Sequence, residues 1–220
     1  MKDYENQLRA LIDPNDFSQE TKSILETIKS DPDFPREDTI VPHSGNLDER
    51  EGHVFAGNLI VEGDLYVNAH TYIIGDLKVS GVLYGGIHCI LMVAGNIECS
   101  GMCLTRTYGY VTGNIKVHQF AFFHTHGSMV LFGQLSTKLY INDDTWYNED
   151  IRLEGCPSFS HTLDNIQATW TLEDGATEGE QSFEVSIRAI LNEEAFQIKD
   201  GRINLFHAMD LLSSGKEIFR

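Results

Sequence analysis

The chain has 220 residues, 41% of them hydrophobic and 10% aromatic, and its 16 Lys and Arg face 33 Asp and Glu for a formal net charge of −17. Such values allow a single domain with a sizeable core and appendages. The sign of the charge disfavours nucleic acid and anionic membrane as partners, because binding phosphate calls for positive charge.

No run of 18 apolar residues occurs, and the opening MKDYENQLRA has no apolar core region. Neither a membrane span nor a secretory signal is therefore expected, and the expected location is cytoplasmic. In such a setting the four Cys are expected to be reduced thiols; no CxxC pairing points to a cysteine-held structural zinc.

Residues 1–50 read as an N-terminal helical cap and connector. Tyr4, Leu8 and Leu11 share one helix face, Asp13-Pro14 breaks it, and Asp16 or Ser18 can cap a second run bearing Ile24, Leu25 and Ile28. The segment DPDFPREDTIVPHSGN, residues 31–46, carries three Pro and reads as extended.

Residues 51–142 hold a repeat. The phrase GNLIV at Gly57 returns as GDLKV at Gly75, GNIEC at Gly95, GNIKV at Gly113 and GQLST at Gly133, at intervals of 18, 20, 18 and 20. A fixed period near 20, carried by strand-type residues and Gly, is the mark of a stacked β-solenoid. Two positions after each Gly stand Leu59, Leu77, Ile97, Ile115 and Leu135. Four after it stand Val61, Val79, Cys99, Val117 and Thr137, and eight after it Leu65, Leu83, Cys103, Ala121 and Ile141. Polar residues such as Glu62, Lys78, Glu98 and Lys116 stand between, which is the period-2 alternation of half-buried strands. Cys99 and Cys103 thus read as core fillers. Asn58, Asp76, Asn96 and Asn114 suit tight corners, and Gly63, Gly81 and Gly101 mark bends or close backbone approach.

The fold expected is mainly β, a parallel β-helix of about five coils with helical or extended caps at both ends, roughly 20 Å long at ~4.8 Å per coil. An antiparallel sandwich would not place similar residues at identical offsets five times. The long coil fits a right-handed helix better than the left-handed hexapeptide kind.

The phrases GNLIVEGDLYV and GDLKVSGVLYG resemble coils of the bactofilin, or polymer-forming cytoskeletal, β-helix family of bacteria, over about 85 residues. The resemblance implies a right-handed β-helix. It does not carry polymerisation over to this chain, whose flanks depart from the family pattern.

Residues 143–220 read as acidic strands and a helix capping the solenoid. The loop DDTWYNED ends the repeat, and the alternating runs Ile166/Ala168/Trp170/Leu172 and Phe183/Val185/Ile187/Ala189 follow, joined by EDGATEGEQ. A helix is expected from Leu205 to Leu212, closed by Gly215. Residues 1–50 hold 6 basic and 12 acidic side chains, residues 51–142 hold 4 and 5, and residues 143–220 hold 6 and 16. A nearly neutral rod thus has acidic ends.

Three functions follow from these features. The first is binding of a basic protein through Asp143, Asp144, Trp146, Glu149, Asp150, Glu173 and Asp174, as in immunity proteins that neutralise a toxin. This version is non-enzymatic and needs no cofactor. The second is a bactofilin-like scaffold, which capped, mutually repelling acidic ends would oppose in favour of a monomer or small homo-oligomer. The third is a β-helix enzyme of the metal-dependent or hexapeptide-transferase type. His70, His88 and His126 share the position thirteen after the phrase Gly with Tyr108 and Trp146, and enzymes resembling the γ-class carbonic anhydrases hold zinc with His from stacked coils. Tyr108 separates His126 from the pair, and a closed site needs three or four convergent ligands, so a stacked surface ladder is the preferred reading and zinc is disfavoured. His118, His124 and His126 in HQFAFFHTHG form a second cluster with the same weakness.

Overall fold

The computed structural model describes residues 40–124, 127–131, 133–143, 146–147, 152–153, 158–162, 169–172, 177–178, 180–199 and 202–220. The expected N-terminal helices lie outside the described residues. The fold is mainly β, a parallel β-solenoid of about 6 turns, with two short helices among the described residues. The helices are α1, Glu180–Ile190, and α2, Leu205–Ser213.

One sheet stacks Ile40–Ser44, Asn58–Glu62, Leu77–Gly85, Ile97–Thr105, Ile115–His124, Leu139–Asp143 and Ser158–Thr162, each parallel to the next. A second sheet stacks His53–Ala56, Thr71–Ile74, Ile90–Val93, Tyr108–Val111, Ser128–Leu131 and Trp146–Tyr147. The solenoid thus extends past both edges of the repeat. The Pro-rich connector supplies its first strand, with Ile40 beside Asn58 and Ser44 beside Glu62. A further coil follows Asn142. Parallel pairing asks only for extended backbone at the right spacing, so these strands join without carrying the repeat phrase.

The corners explain why the phrase recurs. Asn58, Asp76, Asn96 and Asn114 each accept, through a side-chain oxygen, the backbone N–H of the residue one coil on: Asp76, Asn96, Asn114 and Gln134, at 2.7–2.9 Å. Each bond satisfies a donor that the bend removes from the strand ladder, a net gain of about 1 kcal/mol. The preceding Gly is required by space. A Cβ on Gly75 would lie 2.6 Å from the Gly57 carbonyl oxygen, which is backbone and cannot yield.

The first two inward columns are as the sequence places them. Leu59, Leu77, Ile97, Ile115 and Leu135 are buried in one cluster with Val61, Val79, Cys99 and Val117. Each such side chain contributes about 2 kcal/mol by leaving water.

The third column slips. Two residues separate Val79 from Val82, but only one separates Cys99 from Gly101, so the register shifts there and shifts back between Val117 and Phe120. Leu83 consequently stacks on Met102, and Ala121 on Met102 and Tyr140, inside the rod. Cys103 pairs with Tyr84 and Phe122, and Phe122 with Ile141, on the opposite face. The expectation of Cys103 and Ile141 as inward residues is corrected: one residue fewer in a strand reverses every side chain beyond it. Both are core residues of a second cluster, where burial pushes the Cys103 thiol up to about 12.

That second cluster lies between the rod and its tail. Val82, Cys103, Phe120, Phe122, Leu139 and Ile141 pack there with Ile187, Leu191, Leu205, Ala208, Met209 and Leu212. Gly101 is part of the fit rather than a corner. A Cβ there would meet Leu212 at 3.2 Å and Val82 at 3.3 Å, and Gly101 pairs with Val82 instead of following Gly63 and Gly81.

Helix α2 forms where expected. Leu205, Ala208, Met209, Leu211 and Leu212 make its buried face, and Asn204 caps its start by accepting from the His207 N–H. Gly215, with φ +73°, closes it: the Gly215 N–H donates to the Leu212 carbonyl and the Lys216 N–H to the Leu211 carbonyl, a left-handed stop.

Helix α1 corrects the reading of Phe183/Val185/Ile187/Ala189 as a strand. Ile187 is buried, while Val185 is 68% exposed and Ala189 is exposed, so the apolar face follows a period of 3.6 through Ile187, Ile190 and Leu191. Glu184 and Arg188, at 3.3 Å, support the helix as an i,i+4 pair. Of the earlier run, Trp170 and Leu172 lie in the strand Thr169–Leu172, and Ile166 and Ala168 lie outside the described residues.

The parallel stack ends in an antiparallel turn of the sheet. Thr169–Leu172 pairs antiparallel with Ser158–Thr162, and Thr177–Glu178 antiparallel with Thr169–Leu172.

Candidate interaction surface

The flank formed by the first half of each long strand is exposed and charged. Glu98 stands between Lys78, at 3.7 Å, and Lys116, at 3.8 Å, in neighbouring coils, and meets His118 Nε2 at 2.8 Å. The hydrogen bond from His118 holds the Glu98 carboxyl below its ordinary range, and the two ammonium groups add to the effect. This flank is paired within itself, as cross-strand neighbours of opposite sign tend to be. It presents no single-sign field to a partner.

The acidic residues selected from the sequence all fall between the last long coil and α1. Asp143 ends the strand Leu139–Asp143, and Trp146 starts the strand that lies against Ser128. Asp144, Glu149, Asp150, Glu173 and Asp174 lie outside the described residues. The strands on either side of them, from Leu139–Asp143 to Thr177–Glu178, form the end of the rod where pairing turns antiparallel.

Asp143 is half-buried and engaged. Its Oδ2 lies 2.6 Å from His124 Nδ1, across one coil spacing. The His124 ring meets Phe206 of α2 edge-on at 5.2 Å and Phe122 at 5.3 Å. Asp143 therefore orients an imidazole that packs against the tail, rather than standing free in a loop. The sequence places these residues 19 apart, and only the coil register brings them together.

The histidine column does not form as counted. Thr71 pairs with Leu91, which sets His70 beside Ile90, and His70 Nδ1 accepts the Ile90 N–H at 3.2 Å. His88 sits two residues earlier, in a left-handed turn with φ 59°, and its N–H donates to the carbonyl of Arg106. Four residue steps lead from Gly86 to Ile90 against two from Asn68 to His70, and this insertion carries His88 out of line. His126 lies outside the described residues. Among the described residues no group of three or more His, Cys, Asp and Glu could hold a metal ion.

A polar seam joins tail to rod, and the sequence reading missed it. Asp64 is buried, accepts the Val82 N–H at 2.7 Å, and is hydrogen-bonded by Ser213 Oγ of α2. Tyr66 OH donates to Asp64 at 3.4 Å, and its ring stacks on Tyr84 at 4.9 Å. Tyr84 OH donates to the Met209 carbonyl at 3.3 Å. Burial raises the pKa of both phenols, which keeps them donors at neutral pH. One signal was available: Tyr66 and Tyr84 both stand nine residues after a phrase Gly, an outward position where an aromatic calls for cover.

No protein-family model matches the chain, and neither the curated proteins nor the solved structures contain a significant match.

Proposed function

We propose that the chain is a non-enzymatic binding protein that acts in the cytoplasm on a basic protein partner, in the manner of an immunity protein that neutralises a toxin. The observation that supports this most is the acidic composition of the C-terminal part of the sequence. Residues 143–220 hold 16 acidic and 6 basic side chains, and the described strands Ser158–Thr162, Thr169–Leu172 and Thr177–Glu178 of this stretch are where pairing turns antiparallel. A high density of one sign on a stiff support favours fast, steered association with the opposite sign. The charged flank around Glu98 is self-paired, which favours the acidic C-terminal part of the sequence as the recognition element.

The salt dependence of association tests the reading. With a basic partner captured from the native organism, the on-rate should fall at least tenfold as the Debye length shortens from about 10 Å at 0.1 M salt to about 3 Å at 1 M. Replacing Asp144, Glu149, Asp150, Glu173 and Asp174 by Asn or Gln should slow association with the fold intact, and should weaken protection of a cell that expresses the partner. Asp143 is left unchanged because it holds His124. A rate indifferent to salt and to all five substitutions would assign the charge to solubility.

A scaffold that assembles end to end is the second reading, favoured by the parallel strand Ile40–Ser44, outermost among the described residues, and the bactofilin-like phrases. Against it, the last strand of that sheet at the other end, among the described residues, is the two-residue antiparallel Thr177–Glu178, a poor template for a further parallel coil. Filaments of the full chain in electron micrographs would put the scaffold first.

A further inference from the structure

The corner that joins the long strands to the second sheet carries His70, His88 and Arg106 in three successive coils. His70 and His88 are exposed and Arg106 is half-buried. The His88 N–H donates to the Arg106 carbonyl, and the Arg106 N–H to the His124 carbonyl, each at 3.0 Å. From Leu77 to Asn142 the sequence has one carboxylate, Glu98, against Lys78, Arg106, Lys116 and Lys138. Glu98 is held by Lys78, Lys116 and His118 on the charged flank. Asp143, two coils beyond Arg106, is engaged by His124. Among the described residues nothing pairs with the Arg106 guanidinium.

The backbone marks the same place. Among the described residues two other than Gly have a positive φ, His88 at 59° and Arg106 at 49°, and they are neighbours across coils. The other positive-φ residues are Gly45, Gly52, Gly57 and Gly215. A side chain in this region crowds its own backbone, and Arg tolerates it less well than Asn, Asp or His. The two hydrogen bonds use main-chain atoms, so Gly would make them equally well. Strain that no contact of the guanidinium offsets is characteristic of a binding site.

His70 adds a directional donor. Its Nδ1 accepts the Ile90 N–H at 3.2 Å, so the proton of the neutral ring sits on Nε2. A protonated Nε2 donates to an anion and has no lone pair for a metal. The backbone N–H groups of His88 and Arg106 are engaged, so an anion at this corner is met by side chains rather than by a main-chain nest.

We propose that His70, His88 and Arg106 form a binding site for a phosphate monoester. The guanidinium presents a two-pronged donor to two phosphoryl oxygens, and the imidazole N–H groups serve the third. A carboxylate, with two oxygens, would leave donors unused. Ile87, 59% exposed beside His88, supplies an apolar contact for the organic group of the ester. The acid elsewhere in the chain repels an extended polyanion. A single phosphate feels mainly the local sign, because exposed charges more than about 10 Å away are screened at 0.1 M salt. The site is independent of the acidic C-terminal residues and of the partner they would bind.

Equilibrium dialysis of the full chain against phenyl phosphate at fixed ionic strength should show one saturable site that fills below about 10 mM. Arg106→Gly should weaken binding at least tenfold, and His88→Gly at least threefold. Both variants should melt at the parent temperature or about 2–4 °C above it, because the left-handed strain is relieved. A purely structural role for these side chains predicts the reverse, a lower melting temperature with binding unchanged, and that result would overturn the proposal. So would a lack of saturable binding, or benzoate bound as tightly as phenyl phosphate. Should Arg106→Gly fail to fold, Arg106→Gln keeps much of the stem without the charge. It should show the same loss of affinity, and full affinity in that variant refutes the site.

Discussion

The two halves of the strand Leu77–Gly85 differ in what their outward residues meet. In the first half, Leu77 and Val79 face the core while Lys78 and Ser80 stay in water. In the second, Leu83 still faces the core, but Val82 and Tyr84 point out into a second apolar layer beneath α2. The backbone ladder is parallel along both. What differs is the outward side chain, and it decides whether a flank of the solenoid becomes surface or the floor of another core. A β-solenoid can thus hold a lateral domain without altering its own stacking.

The largest effect expected along this contrast is at the residue that keeps facing the core in the second half of the strand. Leu83→Asp would bury an unpaired carboxylate inside the rod, with a cost of several kcal/mol or more. It should abolish the cooperative melt, whereas Lys78→Asp at an exposed position of the same strand should still fold. Equal melting of the two variants would contradict the inward assignment of Leu83.

Next in size is the outer layer. Phe122→Ala should cost about 3–5 kcal/mol, through lost transfer and the cavity left against Phe206 and Phe120. The loss should be local. Hydrogen exchange in α2 should quicken sharply while amides beneath Leu77 and Ile97 keep their protection, because Phe122 packs in the outer cluster with α2 and those residues in the inner one. Uniform loss of protection would mean that the two layers fold as one unit.

The smallest effect belongs to the charged flank. Glu98→Gln should cost about 0.5 kcal/mol, as exposed pairs do. The Glu98 carboxyl titrates below its ordinary value of 4.5, so its contribution is full above that pH and is lost as the pH falls through the lowered folded value. Thermal melts should separate variant from parent at pH 7 and superimpose them near pH 2, provided both still fold there. A difference that persists in acid would assign the effect to packing.

Of the candidate recognition end, the sequence showed the acidic composition but not the engagement of Asp143. The pairing with His124 depends on the strand Leu139–Asp143 joining the stack in one particular register, and nothing local in DDTWYNED encodes it. The seam of Asp64, Tyr66, Tyr84 and Ser213 is of the same kind, since Ser213 lies 149 residues from Asp64.

By itself the sequence determined the solenoid, its corners and its first two columns. Every coil of the repeat must meet the same demands at the same place: an oxygen acceptor at Asn58 or Asn96, no Cβ at Gly75 or Gly95, a branched apolar residue at Leu77 or Ile97. Requirements repeated every ~4.8 Å along the rod become repeats in the chain. Helix α2 was legible as well, because its cap, stripe and Gly215 stop are local. Tertiary structure alone decided the rest. The missing residue at Gly101 and the added ones before Ile90 change which side chains share a face, and their effect is visible only against the neighbouring coil. The run from Phe183 to Ala189 suits periods of two and of 3.6 alike, and the cluster around Ile187 chose the helix. Side-chain alternation converts a one-residue change in length into a reversal of faces, so counting from the last Gly fails wherever a coil gains or loses a residue.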